Sequence, residues 1–405
     1  MKNPLHFRGA LRSVLFGTAM ATAACTFTAC DQDSADALSP QQEIEASQNG
    51  AFIDGKYIVV FNPNETLRMD ANATYEQRVD AMRKAGRDIF ESNGIKNAVI
   101  EQAYGKAISG VAARLTASEV EVLRNDPRVA YIEQDRIMML AKPGSGGGGT
   151  VGQETPWGIT RVGGALSGAG KTAWVIDTGI DLDHADLNVD VARSISVFTS
   201  GRDAGTADDM NGHGSHVAGT IAALNNTIGV VGVAHGATVV AVKVLDARGS
   251  GSYSGVIQGV DYVAANGKSG DVANMSLGGP TSQALDDAVK AASANVKFAL
   301  AAGNDGDDSN NHSPARVNGP NIYTISATDV NDRMASWSNW GNPPVDYAAP
   351  GVSIKSTWKD GGYNTISGTS MATPHVAGLL LLGNITTNGY AVGDPDGNPD
   401  PIAHN

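Results

Sequence analysis

The chain of 405 residues is short of three things, and each shortage excludes a class of function. Cysteine is the first: only Cys25 and Cys30 occur, both beside an N-terminal apolar run, so the remainder holds neither an internal disulfide nor a thiol nucleophile. Positive charge is the second. Lys and Arg number 29 against 42 Asp and Glu, a net charge of −13, with no basic cluster beyond the N-terminus, which excludes a general nucleic-acid surface. The third is any apolar run long enough to span a bilayer as a mature helix. What remains is ordinary globular material, 41% hydrophobic and long enough for two domains.

Lys2, Arg8 and Arg12 precede an apolar stretch from Val14 to Ala24, a secretory signal pattern. Thr28-Ala29-Cys30-Asp31 resembles a bacterial lipoprotein junction, although Phe27 stands where such sites usually carry Leu. Acylation of Cys30 and simple cleavage after a small residue both remain open. Residues 1–30 are therefore read as the signal and 31–55, rich in Gln, Asp, Ser and Ala, as a disordered tether.

A first folded unit is expected over 56–140. Tyr57–Phe61 reads as a strand and 75–92 as a helix, with Val79, Met82, Ala85, Ile89 and Phe90 at helical spacing and Gly94 past its end. Val99–Tyr104 and Val111–Leu115 read as paired strands, Thr116–Arg124 as a helix opened by a Thr116/Glu119 capping box, and Val129–Glu133 as a last strand. The order βαββαβ is the ferredoxin-like split pattern. With Gly110–Thr116 and Asp126–Asp135, it resembles the inhibitor propeptide of subtilisin-like proteases. Residues 141–152, with Ser145 inside a run of glycines, read as a flexible linker open to proteolysis.

From Thr155 onward, near-continuous apolar strands alternate with helices. Ala173–Asp177, Val239–Val244, Val272–Ser276, Val296–Ala302 and Ile322–Ala327 are the strands, and Ser215–Leu224, Ser254–Asn266 and Ser282–Ala294 the helices. This is an α/β, doubly wound, mainly parallel sheet spanning 153–383. Chemistry in such sheets gathers at the carboxyl ends of strands, where Asp177, Ser276 and Asn304 fall.

Asp177-Thr178-Gly179 places a carboxylate at a strand end, and Asn211–Thr220 sets His213 between glycines at a helix start. Gly368–Gly378 puts Ser370 among small neighbours before the apolar run Leu379–Leu382, where helix N–H groups and dipole favour developing negative charge. Each alone has an ordinary structural reading as turn, core histidine or N-cap. Together they supply orienter, base and nucleophile for acyl transfer. The order Asp–His–Ser with these flanks resembles the subtilisin family of serine proteases.

That resemblance implies further assignments. Ala301-Ala302-Gly303-Asn304 matches the oxyanion motif, with the Asn304 amide and the Ser370 N–H as donors. Gly249-Ser250-Gly251 and Ser276-Leu277-Gly278-Gly279, with Ala301 and Gly303, match the segments that sandwich an extended peptide substrate. Gln153, Asp186, Leu224, Asn226, Ile228 and Val230 match a structural Ca²⁺ site. The implied protein is a monomeric endopeptidase of protein or peptide substrates, made as a zymogen whose propeptide is its intramolecular inhibitor. It has no membrane span and is extracellular, or an outer-surface lipoprotein before maturation. A catalytically silent homologue acting as a binding or inhibitor protein is the alternative. Asp177-Thr178-Gly179 also resembles an aspartic-protease motif, but no second copy exists, and His213/His216 lack the Glu of a zinc-binding HExxH pattern. After Leu382 the family's closing helices are missing, and residues 384–405 read as a short, solvated acidic tail.

Overall fold

A computed structural model describes residues 48–62, 73–140, 147–148, 152–383 and 385–405. The signal and Cys30 lie outside the described residues. The first sheet takes β1 (Phe52–Phe61), β2 (Val99–Tyr104), β3 (Gly110–Arg114) and β4 (Val129–Met139), covered by α1 (Tyr75–Ser92) and α2 (Ala117–Arg124). Both helices open on capping boxes, Thr74/Gln77 and Thr116/Glu119. Their apolar faces, Met82, Ile89 and Phe90 from α1 with Val120 and Leu123 from α2, close over Val59, Phe61, Val111 and Ala113. The first strand starts at Phe52, four residues before the expected start of the folded unit at 56, because Phe52 pairs with Arg136.

The larger sheet is assembled from β5 (Thr172–Asp177), β6 (Thr238–Lys243), β8 (Val272–Met275), β9 (Lys297–Ala301), β10 (Ile322–Thr328) and β11 (Val345–Pro350), with β7 (Ser250–Ser252) at the groove after β6. Its order is β11-β10-β9-β8-β5-β6, every neighbouring pair parallel. Chain order reverses beside β5, which opens a crevice at the carboxyl ends of β5 and β8. Along β5 the period-2 alternation feeds both faces. Ala173 and Val175 join Val217 and Ile221 of α3 (His213–Ala222), while Trp174 and Ile176 join Val256 and Val260 of α4 (Tyr253–Asn266) and Leu285 of α5 (Gln283–Ala292).

Beyond a hairpin of β12 (Ile354–Thr357) and β13 (Tyr363–Ile366) comes α6 (Thr369–Leu382), buried from Thr369 to Leu381. Its Val376, Leu379 and Leu380 belong to the same cluster as α3. The C-terminal residues depart from the solvated tail expected. They form β14 (Thr386–Tyr390) and β15 (Pro401–His404), with β15 parallel to β11 and Ile402 and Ala403 buried. The acidic turn thus joins two strands that extend the sheet; Arg161 secures the hairpin by pairing with Asp332 and donating to the Asn388 carbonyl at 2.7 Å. Of the linker, Gly147 and Gly148 pair with β13.

Candidate active site

The crevice collects residues from four strand ends and two helix starts. Asp177 ends β5 fully buried; its Oδ1 accepts the Thr178 N–H at 2.7 Å and faces His213 Nδ1 at 2.7 Å. His213 begins α3 because Gly212, at φ 113°, turns the chain there; a Cβ at Gly212 would sit 2.2 Å from the Trp358 ring. Burial pulls the imidazole pKa down, but the charge and hydrogen bond of Asp177, with the charge of Asp209, outweigh it and raise it above 6.5.

Asp209 is a site residue that the sequence reading missed. Its carboxylate accepts from Thr178 Oγ1, Asn211 N, Gly212 N, Ser215 N and Ser215 Oγ, so one buried anion organises the turn that carries His213. The legible signal was Asp209-x-Asn211-Gly212 immediately before a helix, an Asx-type turn.

Ser370 stands in the first turn of α6. Pro374 has no N–H to give the Ser370 carbonyl, and that carbonyl accepts the Ser276 hydroxyl at 2.8 Å instead. The Ser370 hydroxyl donates to the Ser276 carbonyl at 3.1 Å, and His213 Nε2 makes no hydrogen bond among the described residues. Asn304 Oδ1 accepts from Thr369 N at 2.8 Å and Thr369 Oγ1 at 3.0 Å, which turns the amide N–H groups away from Thr369.

The propeptide strand β4 enters this crevice. Ile137, Met138 and Met139 pair antiparallel with Ser252, Gly251 and Ser250, and Leu140 N–H donates to Gly249 O at 2.9 Å. Gly251 lets β7 close on the end of β6, since a Cβ there would lie 2.3 Å from Val244 O. On the opposite wall β4 is reached through a side chain rather than a ladder. Asn49 stands between the strands, its Oδ1 accepting from Met139 N at 3.0 Å and its Nδ2 donating to Gly278 O at 3.1 Å. Leu277 is buried in the core cluster that also holds Met138, Gly279 pairs with Ser313, Ala301 closes β9, and Gly303 N–H reaches Thr369 Oγ1.

Three carboxylates fix the propeptide against the helices below. Glu133 accepts Ala284 N–H at 2.8 Å in the first turn of α5. Asp135, fully buried, accepts Ser254 N and Oγ in the first turn of α4 and pairs with Lys56 at 3.2 Å. From the other side, Asp261 of α4 accepts the N–H groups of Gly105, Lys106 and Ala107. Burial raises the Asp261 pKa against these three bonds.

At the suggested cation site, Leu224 O, Asn226 Oδ1 and Val230 O converge on Gln153 Nε2 at 2.7, 3.4 and 3.4 Å. The buried Asp186 carboxylate accepts from Asn226 Nδ2, Val230 N and Tyr363 OH, and burial raises its pKa. Ile228 lies in the same loop, its N–H bonded to Asn226 Oδ1. Among the described residues no three His, Cys, Asp or Glu side chains gather as a metal-binding group, and the oxygens that converge here are chiefly uncharged, with Asp186 the one carboxylate.

A parallel α/β sheet with a buried Asp–His pair, a helix-start serine and a strand of the first domain paired to β7 is the architecture of a propeptide-bearing serine protease. Known families agree: the subtilase family profile matches residues 168–384, and that of peptidase inhibitor I9 matches 56–141. The chain belongs to the subtilase family. It is 42% identical over 342 residues to the alkaline serine exoprotease A of Vibrio alginolyticus, covering 82% of this chain and 60% of that longer protein. To the extracellular serine proteinase of Thermus sp. (strain Rt41A) it is 39% identical over 364 residues, covering 88% and 86%. Subtilisin E of Bacillus subtilis (strain 168) is 41% identical over 320 residues, 76% of this chain and 78% of that one. Among solved structures, a cold adapted subtilisin-like serine proteinase matches with TM-score 0.54 and 42% identity, over 61% of this chain and 97% of that one.

Proposed function

We propose that this chain is the zymogen of an exported serine endopeptidase that cuts its own propeptide and then protein substrates through an acyl-enzyme formed on Ser370. The observation that carries the reading is an extended segment, β4, added as an antiparallel strand to β7 in a chain whose buried Asp177 carboxylate holds the His213 imidazole at 2.7 Å.

In the proposed mechanism, a substrate strand takes the place of β4 against Gly249–Gly251. The Ser370 hydroxyl leaves the Ser276 carbonyl for His213 Nε2 and attacks the scissile carbonyl as the imidazole takes its proton. Asp177 holds Nδ1–H, fixes the tautomer and stabilises the imidazolium, consistent with the raised pKa. The oxyanion meets the Ser370 N–H, which at the helix start bonds no other described residue, and the Asn304 amide aimed by Thr369. The protonated imidazole then gives its proton to the leaving amine, and water completes hydrolysis by the reverse route.

Ca²⁺ is proposed at the loop Leu224–Val230. Turning the Gln153 amide would point Oε1 where Nε2 now meets three oxygens, and with Asp186 the set suits a hard cation. An ion there would supply structural stability rather than chemistry. The reading is tested with Ser370→Ala: the variant should accumulate as uncut precursor in a protease-free host, whereas normal processing of it would refute self-cleavage. Membrane fractionation of Cys30→Ala beside the parent separates an anchored precursor from a soluble one.

A further inference from the structure

The turn 302–307 that carries Asn304 is gripped by one fully buried side chain, Asn339. Asn339 Nδ2 donates to Ala302 O at 3.1 Å, and Oδ1 accepts the N–H groups of Asp305 at 2.8 Å and Asp307 at 3.1 Å. Its own N–H donates to Gly303 O at 2.9 Å. Four hydrogen bonds therefore fall on residues before and after Asn304. The amide fits in only one orientation, since one end meets a carbonyl and the other two N–H groups. Gly303 completes the fit: at φ +112° its absent Cβ would stand 2.3 Å from Asn339 Nδ2, so the turn closes directly on the amide.

Asn304 is thus held from two directions. Thr369 fixes its side-chain oxygen, and Asn339 fixes the backbone from which that side chain projects. Asn339 bonds none of the three triad residues. Resting on the reading of Asn304 as oxyanion donor, we propose that Asn339 is the positioning residue that sets this donor for the transition state.

The surrounding framework gives a variant a means to fold. Gly306 N bonds Trp337 O, Ser309 N bonds Trp340 O and Trp340 N bonds Asp307 O, all through backbone. Losing the Asn339 side chain loosens the turn without removing it. A donor displaced by a fraction of an ångström costs turnover more than ground-state binding.

The test is a double-mutant cycle on mature enzyme, with kcat and KM for a chromogenic peptide normalised to the titre of a serine-directed reagent. Asn339→Ala should lower kcat about 10- to 100-fold while KM moves less than about 3-fold. In an Asn304→Gly background the same change should cost less than about 3-fold, because the donor it positions is gone. Asn339→Ser, which keeps one acceptor, should fall between, and carries the same cycle if Asn339→Ala yields no titratable enzyme. An equal fold-loss in both backgrounds, or a loss confined to KM, overturns the proposal. An Asn304→Gly enzyme with unchanged kcat overturns the oxyanion reading itself and the proposal with it.

Discussion

Substituting Asp400 by Asn should stabilise the protein in a way that depends on pH. Asp400 is fully buried where β15 joins the sheet, with Ser326 Oγ donating to it, and burial pushes its pKa up to about 7 from an ordinary 3.8. The unfolded chain ionises this group at pH 4 and the folded one only near 7, so its stabilising contribution is complete below 3.8 and is lost as pH rises. Three units at about 1.4 kcal/mol each give a loss of about 4 kcal/mol by pH 8, a large share of a typical folding free energy. Two buried histidines act in the opposite sense. Burial lowers His375 to about 4 and His216 to about 3, so their contribution is lost as pH falls below 6.5. Asp346, raised to about 6, acts in the same sense as Asp400, so the parent profile mixes opposing groups and only the difference between parent and Asp400→Asn isolates one of them. Urea unfolding of the Ser370→Ala precursor, followed by tryptophan fluorescence, isolates the Asp400 part. The Asp400→Asn advantage should be greatest above pH 8 and shrink by about 1.4 kcal/mol per unit between 7 and 4. Altered hydrogen bonding shifts this curve without changing its slope. A difference independent of pH would refute the reasoning.

Asp135→Ala should strip the first turn of α4 of its anion and leave Lys56 buried with Glu101 alone, weakening inhibition by propeptide added in trans to mature enzyme about 100-fold, or about 3 kcal/mol. An unchanged inhibition constant would contradict that docking. Chelation should lower the Tm of mature enzyme by roughly 10 °C if Ca²⁺ was present at about 1,000 times its Kd, and Asn226→Ala should abolish the difference between chelated and calcium-loaded samples. The acid limb of the kcat/KM profile should lie above pH 6.5, with activity rising as His213 loses its proton; a limb below 6 would show that Asp177 does not govern the imidazole.

Local signals made much of this architecture readable. The capping box at Thr116 and the helical spacing over 75–92 settle α2 and α1, and near-continuous apolar runs mark β5, β6 and β9 as doubly covered. The triad candidates were legible because a strand-end carboxylate, a histidine between glycines and a serine before an apolar helix each have a local context. What escaped depends on partners far away in sequence. The last propeptide strand runs on to Met139 because β7, more than a hundred residues later, extends its ladder. Asp261 reads as a polar position on a helix until the Gly105–Ala107 turn arrives on it. Pro401-Ile402-Ala403 is too short to announce a strand, and it becomes one only because β11 offers a free edge.

In the proposed mechanism Ser370 is the nucleophile that His213 activates. Incubating mature enzyme with a fluorophosphonate and mapping the adduct by mass spectrometry tests this most directly. One adduct per chain should form on Ser370, with activity lost in proportion, and labelling should fall steeply in His213→Ala. An adduct on another residue, or full peptidase activity in enzyme quantitatively modified at Ser370, would contradict it.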